Sequence, residues 1–96
     1  MHYNFEWHPK KAQQNIRKHK MSFERASTIF QDQFAISLFD DEHSENEERW
    51  TTIGQDSHGI LLVISHTFRE TDNSQRYIRI ISARKATKRE AAQYKV

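Results

Sequence analysis

Five stretches of the chain either alternate hydrophobic and polar residues or are continuously apolar, and each of them predicts a β-strand. In the first stretch Tyr3, Phe5 and Trp7 fall on one face. The longest apolar run is expected to be a central strand, since a strand covered on both faces loses the alternation. The five predicted strands cover residues 2–7, 33–39, 49–55, 60–68 and 76–82.

A helical hairpin is predicted between the first two strands. Pro9 suits a first helical position, and good helix formers follow it over 10–20. Ser22 is a candidate N-cap for a second helix over 23–32, in which hydrophobic residues recur at helical spacing. The stripe expected to face the core from the first helix contains Ala12, Ile16 and His19.

A last helix is predicted over 87–95, because Thr87 followed by Glu90 forms a capping-box pattern. The predicted order is β-α-α-β-β-β-β-α, and the short polar links between the last four strands favour an antiparallel sheet. The two N-terminal helices would cover one face, and the C-terminal helix would lie at the rim of the other. The expected fold class is α+β, in a single domain over residues 1–96.

The composition excludes several kinds of protein. There is no cysteine, so disulfides and thiolate chemistry are excluded. No apolar run approaches the roughly 18 residues of a membrane span, and the N-terminus lacks the apolar segment of a signal peptide. A cytoplasmic protein that does not bind membranes is therefore expected.

Charge is distributed unevenly along the chain. The net charge is only +2, but residues 40–48, the acidic loop, contain six of the 13 acidic residues and no lysine or arginine. Outside this loop the net charge is +8, and the last 28 residues hold eight of the cations. The acidic loop is either a solvated segment or a surface that faces the cationic strands or a protein partner.

Arg79 lies in an otherwise apolar strand, where it shares one face with Tyr77 and Ile81. A charge buried there without a partner would cost several kcal/mol. It therefore pairs with an acid, with Glu48 and Glu70 as candidates, reaches water, or binds an anionic ligand. Guanidinium groups suit phosphate, because their planar fork donates two parallel hydrogen bonds.

Further cations and aromatic residues flank the predicted strands. Together they resemble the surfaces that bind single-stranded nucleic acids, where bases stack on aromatic rings and phosphates pair with cations. The residues concerned are Arg49, Arg69, Arg84, Trp50, Tyr77 and Tyr94.

Six histidines are present, but none has the spacing of a known metal site, and no cofactor-binding motif occurs. No metal ion and no cofactor are therefore expected. His66 differs from the others because it lies in an apolar strand, where it is either a buried structural histidine or a general base.

The chain resembles the BrnT family of type II toxins, which are bacterial ribonucleases with a RelE-like fold. The likeness covers almost the whole chain and is most specific near its C-terminal end. It rests on FEWHPKKAQQNIRKHKMSFERASTIF, HSENEERWTTIG, LLVISHTFRE and IRIISARKATKREAAQY. Two positions depart from the family pattern, namely His8, where an acid is usual, and Lys20, where glycine is usual. Both departures are expected to affect the helical hairpin rather than the active face.

The resemblance implies an activity and a set of partners. The family cleaves RNA and halts translation, and its partner is a BrnA-like antitoxin with a ribbon-helix-helix domain. Operator DNA would be bound only through the antitoxin. The expected assembly is a homodimer or a toxin-antitoxin heterotetramer.

The resulting hypothesis is a metal-independent endoribonuclease in which the 2′-OH of the RNA is the nucleophile. Arg79 and Arg84 are expected to contact the reacting phosphate, and Glu48 or His66 to act as base. The residues expected to bind the rest of the RNA are Arg49, Arg69, Tyr77, Lys85, Lys88, Arg89 and Tyr94. Two alternatives remain, a non-catalytic module that binds nucleic acid or antitoxin, and a structural protein whose arginines are all held in ion pairs.

Overall fold

A five-stranded mixed sheet with helices on one face dominates the computed structural model, which describes residues 2–94. The strand order across the sheet is β1-β5-β4-β3-β2. The elements are β1 (Asn4–Glu6), α1 (Pro9–His19), α2 (Phe23–Ala26), β2 (Ile36–Phe39), β3 (Arg49–Gln55), β4 (Leu61–Glu70), β5 (Arg76–Lys85) and α3 (Lys88–Ala91). The α+β class is thereby confirmed. No helix among residues 2–94 is both long and apolar enough to span a bilayer.

The expectation of a fully antiparallel sheet is wrong at its first strand. Strands β2 to β5 form the predicted antiparallel meander, but β1 pairs parallel with β5, with Asn4 opposite Tyr77 and Glu6 opposite Arg79. The two helices between β1 and β2 form a long crossover, so β1 is free to add to the far edge of the sheet. The last strand of the chain is thus an interior strand.

Two predicted helices are shorter than expected. Helix α2 ends at Ala26 and continues as a 3-10 helix over Ser27–Gln31, while the N-cap at Ser22 is confirmed by a 3.1 Å bond from the Arg25 amide. The Ser27 hydroxyl donates to a main-chain carbonyl within the preceding turn, which weakens a regular helix. Helix α3 keeps the predicted capping box but ends at Ala91, and residue 95 of the prediction lies outside the described residues.

Helix α1 packs its face differently from the predicted stripe. Ile16 is exposed, whereas Asn15 is buried. The Asn15 amide donates to the carbonyls of Met21 (2.9 Å) and Ala83 (2.8 Å), and its oxygen accepts from the Ala83 amide (3.1 Å). Strand β1 ends too early to pair with this part of β5, so the Asn15 side chain takes the place of a neighbouring strand.

Lys20 ends helix α1 in the left-handed conformation (φ 58°, ψ 34°), and its amide donates to the Ile16 carbonyl at 2.9 Å. Only glycine adopts this conformation without a steric cost, so lysine at this position is expected to weaken the helix end. The effect on the helical hairpin stays a prediction, which this backbone conformation supports.

A β-bulge at Ile81 changes the phase of β5. Ser65 pairs with Ser82 and His66 with Ile80, so Ile81 has no partner on β4. Side chains that would point to opposite faces of a regular strand therefore share a face across the bulge. Arg79 and Arg84 both lie on the sheet face opposite α1 and α2, which we call the open face.

Candidate functional site

An ion pair links β5 to the acidic loop on the open face. Arg49, Thr67 and Arg79 lie side by side on β3, β4 and β5. The Arg79 guanidinium donates to the Glu47 carboxylate, and Arg49 Nη2 lies 3.7 Å from the same oxygen of Glu47. One carboxylate therefore faces two guanidinium groups, and the position it occupies is suited to an anion.

A cavity of about 210 Å³ opens beside this pair. Helix α1 begins close to the bulge of β5, so cations from a helix and two strands meet there. We call this cavity the cationic cleft, and the residues that line it are His8, Lys11, Arg49, Arg79, Ile80 and Ile81. Three permanent cations around one cavity repel each other unless an anion compensates them.

Arg49 contributes an unsatisfied donor to the cationic cleft. Its Nε atom is buried and has no hydrogen-bond partner among residues 2–94. A buried donor of this kind costs free energy until an acceptor reaches it. An oxygen of a bound anion would remove that cost.

The effect expected of the departure at His8 is wrong in one respect. His8 does cap helix α1, because its Nδ1 accepts from the Lys10 amide at 3.2 Å, but it also lines the cationic cleft beside Arg79. When the ring is neutral, this bond places its proton on Nε2. Substitution at His8 would therefore change the lining of the cationic cleft as well as the helix end.

The acid that pairs with Arg79 is neither of the two expected ones. Glu48 is exposed, and Glu70 lies 3.8 Å from Arg76 instead. Glu47 forms the ion pair with Arg79 that was expected for Glu48. Within a loop, successive side chains follow no fixed period, so the sequence alone does not show which acid faces the sheet.

Arg84 is held by an acid of its own. Its two terminal nitrogens donate to the two oxygens of Glu90 at 2.7 and 2.8 Å. These hydrogen bonds raise the pKa of Arg84 and lower the pKa of Glu90 to about 2. Arg84 thus anchors α3 to the sheet. The structure does not bring it together with the cationic cleft, because it lies four residue pairs along β4, roughly 13 Å from Arg79.

Stability should fall in acid through this pair. The pKa of Glu90 lies below its ordinary value of 4.5. The stabilisation that the pair gives the folded state is therefore complete above pH 4.5 and is lost as the pH falls toward about 2. We expect a loss of about 1–2 kcal/mol, because Arg84 is 40% exposed and water screens the pair. Urea unfolding across this pH range measures it. The Glu90→Gln variant should show a flatter pH dependence, and equal slopes for both proteins would contradict the expectation.

Tyr94 also anchors the C-terminal segment. Its hydroxyl donates to the Asp32 carboxylate, and burial together with this carboxylate raises the pKa of Tyr94 to about 12. The pKa of Asp32 is lowered, because bonds from the Gln55 amide, Tyr94 and the Phe34 amide outweigh its burial. Tyr94 is therefore poorly suited to donate a proton.

His66 lies on the other side of the sheet from the arginines. It is buried in the core face, where its Nε2 lies 2.6 Å from the Thr52 hydroxyl and its Nδ1 3.0 Å from the Thr67 carbonyl. Burial lowers the pKa of His66 and keeps the ring neutral at neutral pH. The structural alternative considered for this histidine fits this position, and a role as base beside Arg79 does not.

The remaining predicted site residues lie on two sides of the cationic cleft. The Arg69 guanidinium lies 4.3 Å from the centre of the Tyr77 ring, two residues from Arg79 on the same face. At the other end of the sheet the exposed cations are Lys85, Lys88 and Arg89. Cations thus occur on both sides of the cationic cleft.

Comparison with protein families decides the assignment. A family profile described as the ribonuclease toxin BrnT of type II toxin-antitoxin systems matches residues 7–90. The chain belongs to the BrnT family. The matched segment includes every residue of the cationic cleft and the Arg84–Glu90 pair. The resemblance found in the sequence is confirmed, and with it a ribonuclease toxin of a type II system, whose partner is a protein antitoxin.

A solved structure shares the fold of this BrnT family member. The ribonuclease toxin BrnT of Brucella abortus, known from a crystal structure at 1.1 Å resolution, superposes with a TM-score of 0.62. The sequences are 21% identical, and the alignment covers 91% of this chain and all of the other. No curated protein matches the chain significantly.

Proposed function

We propose that the cationic cleft binds the scissile phosphate of RNA, and that Arg79 and Arg49 stabilise the charge that develops during a metal-independent cleavage. The observation that carries this proposal is the pair of guanidinium groups on Glu47, together with the unsatisfied Nε of Arg49. The oxygens of a phosphate would pair with the two guanidinium groups and accept a hydrogen bond from this Nε atom. Among residues 2–94 the one carboxylate at the pair, Glu47, already faces two arginines, whereas a hard metal ion needs several oxygen ligands.

The proposed reaction uses the RNA as its own nucleophile. The 2′-OH loses its proton and attacks the adjacent phosphorus, the bond to the 5′ oxygen breaks, and a cyclic phosphate and a 5′-hydroxyl result. Glu47 is our candidate for the base that accepts the 2′ proton once a phosphate has taken its place on the arginines. Lys11 lines the same cavity and would donate a proton to the leaving 5′ oxygen.

The rest of the RNA would follow the open face. Arg69 and Tyr77 adjoin the cleft on one side. On the other side Lys85, Lys88 and Arg89 are exposed and would contact phosphates, with Tyr94 beside them. Binding through such contacts weakens as salt rises. Glu48 and Arg84 would act indirectly, the first as part of the acidic loop and the second through α3.

The cellular role follows from the same assignment. RNA cleavage by a single RelE-like domain over residues 1–96 would halt translation in the cytoplasm. The antitoxin would be a BrnA-like ribbon-helix-helix protein, which alone would contact operator DNA. The assembly would be a homodimer or a toxin-antitoxin heterotetramer.

The test is cleavage of RNA by the purified protein in excess EDTA. We expect undiminished cleavage and 5′-hydroxyl ends, which ligate only after treatment with a polynucleotide kinase. Mapping of 5′ ends after brief induction would locate the same cuts in cells. Loss of activity in EDTA that Mg²⁺ restores would contradict the proposed mechanism. RNA that shifts in a gel but stays intact would favour the non-catalytic module.

A further inference from the structure

The helices leave part of the core face of the sheet uncovered. A pocket of about 290 Å³ opens there, on the opposite side of the sheet from the cationic cleft. Its walls are mostly aromatic, and Phe68 at its edge is 39% exposed. The residues that line it include Tyr3, Phe30, Ser37, Trp50, His66 and Phe68.

Three polar side chains at this pocket, those of His66, Thr52 and Ser37, bond to one another. Neutral His66 donates from Nδ1 to the Thr67 carbonyl, so its Nε2 accepts from the Thr52 hydroxyl. Thr52 in turn accepts from the Ser37 hydroxyl at 2.7 Å. All three donors are used within this chain of hydrogen bonds. A ligand would therefore meet apolar walls and would be bound by an apolar group.

The rim of the pocket combines apolar and acidic groups. Phe39 is 41% exposed and packs edge-on against Trp50, with ring centres 5.3 Å apart. The acidic loop, 40–48, begins at the next residue. A partner for this surface would thus carry one bulky apolar side chain flanked by basic ones, because apolar burial and opposite charge would act together.

We propose that this aromatic pocket, with the acidic loop beside it, is the docking site of the antitoxin. A segment of the antitoxin inserts one large apolar side chain into the pocket and places lysine or arginine against the loop. The inference rests on the proposed function, which supplies the antitoxin. Because Glu47 belongs to the same loop, an antitoxin that holds the loop in place also holds the Glu47 carboxylate against Arg79.

The test measures the Kd between the purified toxin and the ribbon-helix-helix protein encoded beside its gene. Phe68→Ser removes an apolar wall, and Ser37→Leu fills the pocket without removing one. Both variants should weaken binding about tenfold or more and leave RNA cleavage unchanged. The matched control is Ile16→Ser, which removes an exposed apolar side chain from α1 and should leave the Kd unchanged.

The outcomes separate this inference from the proposed function. If the parental toxin does not bind the antitoxin, the proposed partner is wrong. If it binds and both pocket variants bind equally well, only the docking site is wrong. If Phe68→Ser abolishes self-association of the toxin and leaves antitoxin binding intact, a second copy of the chain occupies the pocket and the inference is overturned.

Discussion

Arg79→Ala is expected to lower the rate of RNA cleavage by about 10²–10³-fold, the usual effect of removing one donor from a developing oxyanion. Arg79 Nη2 already binds a carboxylate in the structure, so the side chain is in place for an oxyanion before RNA arrives. Arg79→Lys retains the charge and loses the planar fork, and we expect it to recover only part of the rate. Single-turnover cleavage of a short RNA separates this effect from binding.

Arg76→Ala is the matched control for this experiment. Arg76 lies on the same strand, but it points to the other face and pairs with Glu70. Its removal should leave the rate of cleavage unchanged. An Arg79→Ala protein that is folded and cleaves at the parental rate would overturn the assignment of the cationic cleft.

Asn15→Ala is expected to cost about 3 kcal/mol or more of the free energy of unfolding. The substitution leaves the amide and carbonyl of Ala83 and the carbonyl of Met21 without partners in a buried site, and each such group costs about 1–3 kcal/mol. Asn15→Asp keeps the acceptor but loses both donors, so we expect it to be at least as unstable. Urea unfolding measures both variants.

Gln14→Ala provides the comparison for the same helix. Gln14 is exposed, and its removal should change stability by no more than about 0.5 kcal/mol. If Asn15→Ala unfolds at the same urea concentration as Gln14→Ala, the side chain does not support β5 in the way the geometry indicates.

The strands were predictable because alternation is a local property. The 3.6-residue stripe proposed for α1 holds at Ala12 and was wrong at Ile16, because a polar residue, Asn15, replaces a strand as partner of β5 and Ile16 lies at the surface. No sequence pattern indicates that a side chain takes the place of a strand in this way. The parallel pairing of β1 could not be predicted from the sequence either, because the sheet edge that β1 joins depends on the path of two helices.

The candidate site was predicted only in part, for a related reason. Arg79 stands out within its own strand, but its neighbours Lys11, His8 and Glu47 come from a helix, a strand end and a loop that meet only in the folded chain. The sequence offered one signal for Lys11, which is a basic residue placed one helical turn before Asn15. The position of His66 depended on the register between β4 and β5, which the sequence did not show.

The bulge at Ile81 has a consequence for anyone who aligns relatives of this chain. Loss of this one residue would give β5 a regular pleat and leave the faces of its other residues unchanged, because Ser82 would then follow Ile80 directly. A relative that lacks a residue in this column therefore needs no bulge to keep both arginines on one face, whereas a relative with the spacing of this chain needs one. The spacing between the two arginines thus indicates whether the strand of a relative contains the bulge.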